Sequence, residues 1–300
     1  EAALQFLPGD GATVGARLTA DPRIAGVAFT GSIETARLIN RALAARDAPL
    51  ATLIAETGGQ NVMIVDSSGL PEQVVEDVIG SAFLSAGQRC SALRVLYLQD
   101  DIADKVMKML AGAMQELVVG DPAMLLTDVG PVIDEEALTV LRAHQQRMEA
   151  EARLIARTPL PPGLEGQFFA PVAFEIERIG QLEKEVFGPV LHVIRFASDT
   201  LDRVIDEVNN TGYGLTLGVH SRIDGMQRYV AARARVGNCY INRTMTGAVV
   251  GVQPFGGEGL SGTGPKAGGP HYLPRFATER TLTVNTAAVG GNASLLAMED

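Results

Sequence analysis

The stretch Ile24-Ala25-Gly26-Val27-Ala28-Phe29 runs directly into Thr30-Gly31-Ser32, after which apolar side chains recur at Ala36, Ile39, Ala42 and Leu43. A short apolar run that stops at Gly and Ser reads as a strand and its turn, and the spacing of three and four that follows reads as one face of a helix. Further strands are expected at Ala51–Ala55, Asn61–Val65, Leu93–Leu98, Val190–Phe196, Thr216–His220 and Cys239–Asn242. Helices fall between them. One carries Val75, Val78, Ile79, Ala82 and Phe83 on a single face after Pro71 at its first turn, and another carries Ile102, Val106, Met109, Leu110, Ala113 and Leu117. The alternation predicts parallel βαβ units, so the fold class is α/β. Pro161-Pro162 with Gly163 and Gly166 marks a loop within a common core rather than a linker. Thr281-Leu282-Thr283-Val284-Asn285-Thr286 alternates like a lone strand, expected to pair with another subunit or a distant hairpin.

With 300 residues and 46% apolar content the chain can fill one large domain or two modest ones, which excludes disorder. The 25 Lys and Arg are scattered and outnumbered by 35 Asp and Glu, so a nucleic-acid partner is not expected. Apolar stretches such as 244–257 are short and broken by Gly, Gln and Pro, so no transmembrane segment is expected, and no leader opens the sequence. A soluble, cytoplasmic protein is the expectation. Neither Cys90 nor Cys239 lies in a redox or zinc pair, and His144, His192, His220 and His271 show no metal spacing, so no metal is expected. His192 and His220 alternate within strand patterns and read as satisfied structural histidines.

Cys90 falls in the connection after Gly87, which is expected to end the preceding helix, where Arg89 and local backbone N–H groups would favour thiolate. A lone cysteine also reads as a buried, inert thiol. Cys239, in an apolar strand beside Tyr240 and Ile241, reads as the less reactive of the two. Glu56 ends the apolar strand Leu53-Ile54-Ala55 and precedes Gly58-Gly59, so burial should raise its pKa towards neutrality and suit it to proton transfer; an exposed turn glutamate is the alternative. Thr30-Gly31-Ser32 could hold a phosphate at a helix N-terminus, or Ser32 could be only an N-cap. Glu185 and Phe187 lie two apart on one side of an extended chain, able to meet a sugar hydroxyl and a flat ring, or else are a solvated acid and a core ring. The glycines between Gln253 and Pro270 mark either a connector or a loop whose backbone approaches a ligand.

Taken together, Phe29-Thr30-Gly31-Ser32, Glu56-Thr57-Gly58-Gly59, Gly87-Gln88-Arg89-Cys90, Glu185-Val186-Phe187-Gly188-Pro189, Asn209-Asn210-Thr211-Gly212-Tyr213-Gly214-Leu215 and Pro254-Phe255-Gly256-Gly257 resemble, in order and spacing, the aldehyde dehydrogenase superfamily. The match covers essentially the whole chain. Glu56–Asn61 and the glycines up to Gly269-Pro270-His271-Tyr272 resemble the glutamate semialdehyde dehydrogenases, and Thr283–Thr286 with Gly290-Gly291-Asn292-Ala293 the dehydrogenase half of bacterial bifunctional proline-utilisation flavoenzymes. The resemblance implies an aldehyde dehydrogenase-like fold with a partial Rossmann-type cofactor domain. It also implies NAD-dependent oxidation of L-glutamate γ-semialdehyde to L-glutamate, with FAD only in a proline dehydrogenase domain fused upstream.

Carried over by residue, Cys90 is the nucleophile and Glu56 the general base. Thr30, Gly31 and Ser32 form the pyrophosphate turn, Glu185 and Phe187 contact the ribose and nicotinamide, and Ser91, Gly247 and Ala248 grip the substrate α-carboxylate. The resemblance divides the chain into 1–57, the end of the cofactor domain; 58–270, the catalytic domain; and 271–300, a tail with an oligomerisation strand joining a homo-oligomer. Family members carry upstream strands, a Lys on the adenosine ribose and an Asn completing the oxyanion hole. The sequence begins after these, so the isolated chain is expected to be N-terminally incomplete and to bind NAD weakly. The alternatives are a noncatalytic assembly module and a thiol esterase using Cys90 and Glu56.

Overall fold

The computed structural model describes residues 3–249 and 251–285 together with Ser294 and Ala297. After a short helix α1 (Ala16–Ala20), β1 (Gly26–Thr30) leads through the Gly31-Ser32 turn into α2 (Ile33–Ala44), and β2 (Thr52–Glu56) pairs parallel to β1 with Thr30 opposite Glu56. Ser32 is the N-cap of α2, its hydroxyl accepting from the Thr35 amide at 3.1 Å. These two strands form a sheet of their own.

The second sheet starts with β3 (Val62–Val65), followed by α3 (Pro71–Ala82), β4 (Val95–Gln99), α4 (Asp100–Glu116) and α5 (Glu135–Glu151). It continues with β5 (Arg153–Arg157), β6 (Val172–Glu175), β7 (Val190–Phe196), α6 (Leu201–Asn210), the two-residue β8 (Tyr213–Gly214), β9 (Thr216–His220), α7 (Asp224–Arg233) and β10 (Asn238–Ile241). A last short strand, β11 (Glu258–Gly259), pairs antiparallel with β8. The seven strands run in the order β10-β9-β3-β4-β7-β6-β5, parallel except for β5 against β6. Its inner strands β3, β4 and β9 are buried at every position, which is why they read as unbroken apolar runs: helices cover both faces of a parallel sheet.

Strand β5 went unread because Arg153, Leu154 and Arg157 are exposed on the sheet's outer edge, leaving no apolar run to see, whereas β6 was missed although Val172, Ala173 and Phe174 are buried. The Pro161–Gly166 loop joins them, inside one core as expected. Helix α3 buries Val74, Val75, Val78 and Ala82, and α4 buries Ala103, Val106, Met107, Leu110 and Met114, so the face of α4 is turned from the one read in the sequence.

One expectation needs correction. Helix α3 stops at Ala82 rather than at Gly87; a left-handed turn with positive φ at Ser85, Ala86 and Gly87 follows it. No strand is assigned at 281–285, where Leu282 and Val284 are exposed, and Thr286 lies outside the described residues. Cys239, on the outer strand β10, is exposed. Among the described residues no helix is long and apolar enough to cross a membrane.

Candidate active site

Four connections meet in one place. Residues 57–61 join β2 to β3, residues 83–94 precede β4, residues 182–189 precede β7 and residues 213–215 precede β9. The C-terminal ends of β1 and β2 therefore face the N-terminal ends of the large sheet, and between them lies a cavity of about 1070 Å³. Its wall contains Thr30, Gly31, Ser32, Glu56, Cys90, Ser91, Glu185, Phe187, Gly247 and Ala248. Every residue singled out in the sequence as a site residue is thus on one surface.

Glu56 emerges from the end of β2, where the glycine-rich segment closes over it. Gly262 pairs antiparallel with Glu56, the Thr263 amide donates to the Ala55 carbonyl at 2.9 Å, and the Gly257 amide donates to Glu56 Oε2 at 3.2 Å. The other carboxylate oxygen, Oε1, is buried with no hydrogen-bond partner. Burial pushes the Glu56 carboxyl up to about 7, opposed by the Gly257 amide and by the charge of Lys266. That is a base half ionised at neutral pH. The glycine-rich stretch is therefore neither a free connector nor only a ligand loop: it encloses Glu56 while Phe255, Ala267 and Gly268 reach the cavity.

Cys90 follows the left-handed turn, and Gly87 is indispensable there. Its φ is +62°, and a Cβ would lie 2.2 Å from the Gly188 carbonyl oxygen. Asn61, buried at the foot of β3, donates to the Cys90 carbonyl at 2.6 Å and the Ala92 carbonyl at 2.9 Å, fixing the residue after the turn. The thiol corrects the sequence expectation. It is half-buried, and burial first and the Glu185 carboxylate second raise it above the ordinary thiol value. Arg89 gives no help, because its Nε donates to Ser85 Oγ. The backbone N–H groups of Ser91 and Cys90 do point at the sulfur and oppose the rise. Cys239, though exposed at its edge, has protein packed around its sulfur that lifts the thiol to about 11.

Glu185 is held from three sides. Arg94 Nη2 and Nε donate to its Oε1 at 3.0 and 3.3 Å, and the Gly59 amide donates to its Oε2 at 3.2 Å. Gly58 is bare for the same reason: a Cβ there would sit 1.6 Å from Glu185 Oε2. Phe187, 44% exposed, presents its ring to the cavity and lies 5.2 Å from the Arg94 guanidinium carbon. Behind this loop, His192 Nδ1 lies 3.1 Å from the Arg94 carbonyl and its Nε2 lies 2.9 Å from His144 Nε2. A carbonyl only accepts, so His192 carries its proton on Nδ1 and His144 donates. Burial drops His144 to about 4 and His192 to about 3, leaving both neutral. His220 is buried too, but Nε2 stands 3.3 Å from Asp77 Oδ2 without a hydrogen bond, so it is not the satisfied histidine expected.

The aldehyde dehydrogenase family model matches residues 1–282. The chain belongs to the aldehyde dehydrogenase family. It is 58% identical over 287 residues to the bifunctional protein PutA of Salmonella typhimurium (strain LT2), covering 92% of this chain and 22% of that protein. A crystal structure of bifunctional proline utilization A superposes with a TM-score of 0.90 at 62% identity, covering 94% of this chain and 28% of that one. The structure of 1-pyrroline-5-carboxylate dehydrogenase from Thermus with bound NAD gives a TM-score of 0.84 at 38% identity, covering 90% and 53%. The chain thus spans about a quarter of the proline-utilisation proteins and about half of the shorter dehydrogenase.

Sequence reasoning missed two residues of this candidate site. Arg94 interrupts the apolar run Ala92-Leu93-Arg94-Val95-Leu96, and a charge in such a run signals a buried ion pair. Lys266 sits among glycines, where only the fold shows its charge acting on Glu56.

Proposed function

We propose that this chain oxidises L-glutamate γ-semialdehyde to L-glutamate with NAD, Cys90 as nucleophile and Glu56 as base. The observation that carries the reading is that Cys90, Glu56, the Thr30–Ser32 turn, Glu185 and Phe187 line one cavity. The cavity suits the dinucleotide. The first turn of α2 offers amides to a pyrophosphate, the Glu185 carboxylate can accept from ribose hydroxyls, and the Phe187 ring offers a flat apolar face. When bound, NAD supplies the hydride acceptor.

The protein's own residues do the rest. The Cys90 thiol, deprotonated, attacks the aldehyde carbon, and the oxyanion that forms lies beside the Cys90 and Ser91 amides that point at the sulfur. Loss of hydride leaves a thioester on Cys90. Glu56, as carboxylate, then takes a proton from water as it attacks the thioester carbonyl, and the thiolate leaves. The substrate α-carboxylate is an anion that the Ser91 hydroxyl and the Gly247 and Ala248 amides can receive on the same wall. By the same reading the tail, 271–300, joins a homo-oligomer, and a proline dehydrogenase domain with FAD lies upstream in the full-length protein. NADH formation by that protein with glutamate semialdehyde, lost in Cys90→Ala while NAD still binds calorimetrically, supports the assignment; retained turnover in the variant refutes it.

One observation favours a second reading, a noncatalytic assembly module. The β1–β2 sheet has only two strands and leaves Ala28 and Thr30 exposed, whereas parallel sheets are normally covered on both faces. A titration of the 300-residue chain with NAD separates the two, since this module would bind none.

A further inference from the structure

Arg94 stands immediately before β4 and is 2% exposed. A guanidinium has five N–H donors in a rigid fork. Here Nη1 donates to the Gly87 carbonyl at 2.7 Å and the Gly188 carbonyl at 3.1 Å, and Nη2 to the Arg89 carbonyl at 3.1 Å. The remaining bonds, from Nη2 and Nε, go to Glu185 Oε1. Two of the partners, Gly87 and Arg89, belong to the turn that ends at Cys90. The others, Glu185 and Gly188, bracket Phe187, whose ring the guanidinium also faces. No other side chain described here bonds to both loops.

The two loops also touch directly, through the close approach of Gly87 to the Gly188 carbonyl. The turn itself is strained, with Ser85 and Ala86 at positive φ, so it needs outside support to hold its shape. From the other side the Arg94 carbonyl is pinned by the His192 amide and ring. The fork therefore sits next to a rigid strand and reaches into two loops that have little regular structure of their own.

Resting on the function proposed above, we propose that Arg94 is a positioning residue that couples the Glu185–Gly188 loop to the Gly87–Cys90 turn, so that a nucleotide seated on Glu185 and Phe187 sets the geometry of the Cys90 thiol. Lysine cannot replace it. An ammonium is a point charge with three donors and cannot span four partners in a plane.

The probe is ADP-ribose, which offers ribose hydroxyls to Glu185 but carries no nicotinamide ring to cover the sulfur. In the full-length protein that carries this sequence, saturating ADP-ribose should speed alkylation of Cys90 by iodoacetamide at least about tenfold, the lower end of what one hydrogen bond to a charged group commands. In Arg94→Lys, ADP-ribose should bind more weakly, alkylation should not respond to it, KM for NAD should rise and kcat should fall. A variant that loses thermal stability but keeps both kinetic constants and the alkylation response would show a purely structural role and overturn the inference. If Arg94→Lys does not fold, the wild-type measurement decides: ADP-ribose that binds but leaves alkylation unchanged refutes the coupling. No calorimetric binding of either NAD or ADP-ribose refutes the functional reading itself, and the coupling with it.

Discussion

Replacing Glu56 by Gln should slow turnover and stabilise the fold at the same time. The carboxyl sits at about 7 rather than its ordinary 4.5 because burial penalises the charge. Between those two values the folded state binds a proton the unfolded state has released, so stability falls as pH rises from 4.5 to 7 and the loss is complete above 7. At 1.36 kcal/mol per unit the full shift would exceed 3 kcal/mol, but the side chain is only half-buried, so about 1–2 kcal/mol is the expected gain for Glu56→Gln at pH 8. Below pH 4.5 the gain should vanish. Turnover should move the other way. Only ionised Glu56 can take the proton from water, so the wild-type rate should climb with pH through about 7 and level off above it. General-base catalysis contributes about 10²–10⁴, which sets the loss in the Gln variant. The first half-reaction should survive, because the Glu56 charge raises the Cys90 thiol and its removal lightens that load. The expected record is a burst of NADH followed by a slow steady state, together with a higher denaturant midpoint at pH 8 than wild type. An unchanged steady-state rate, or a variant less stable than wild type at pH 8, would refute the reasoning.

Limiting iodoacetamide should label Cys90 before Cys239, whose thiol is lifted to about 11, and labelling of Cys90 should keep rising above pH 9; peptide mapping that finds Cys239 modified first would contradict this. Gly87→Ala forces a Cβ to within 2.2 Å of the Gly188 carbonyl at positive φ, so it should destabilise by about 2 kcal/mol or more and lower turnover per folded molecule; chemical denaturation and titrated active sites check both. His144, His192 and His220 are neutral when folded, with values near 4, 3 and 4. They are protonated when unfolded below about 6.5, so their contribution to stability should be whole above 6.5 and fall as pH drops towards 4; in Glu56→Gln, where the opposing Glu56 effect is absent, equal denaturant midpoints at pH 7 and pH 5 would exclude this.

Much of the fold was legible because its inner strands are buried on both faces. Val62–Val65, Val190–Phe196 and Thr216–His220 write their burial as apolar runs, and Pro71 marks the start of α3. β5 was not legible, since a solvated edge strand has no such run. Glu56 could be read because a strand end carries its carboxyl into apolar surroundings, and its raised pKa followed. The Cys90 environment could not. Arg89 is its neighbour in sequence but bonds to Ser85, whereas Glu185, 95 positions away, is the charge that raises the thiol most. Arg94 was missed for a related reason: its partners lie in two loops that only the folded chain brings together.

The account stands most directly on the covalent step at Cys90. Full-length Glu56→Gln protein mixed with glutamate semialdehyde and NAD, quenched in acid within the burst, should show by mass spectrometry an acyl adduct on the peptide containing Cys90. The adduct should require NAD and disappear in the Cys90→Ala, Glu56→Gln double variant. An adduct on the Cys239 peptide, one that forms equally without NAD, or no adduct despite a burst of NADH would contradict the assignment of Cys90 and Glu56.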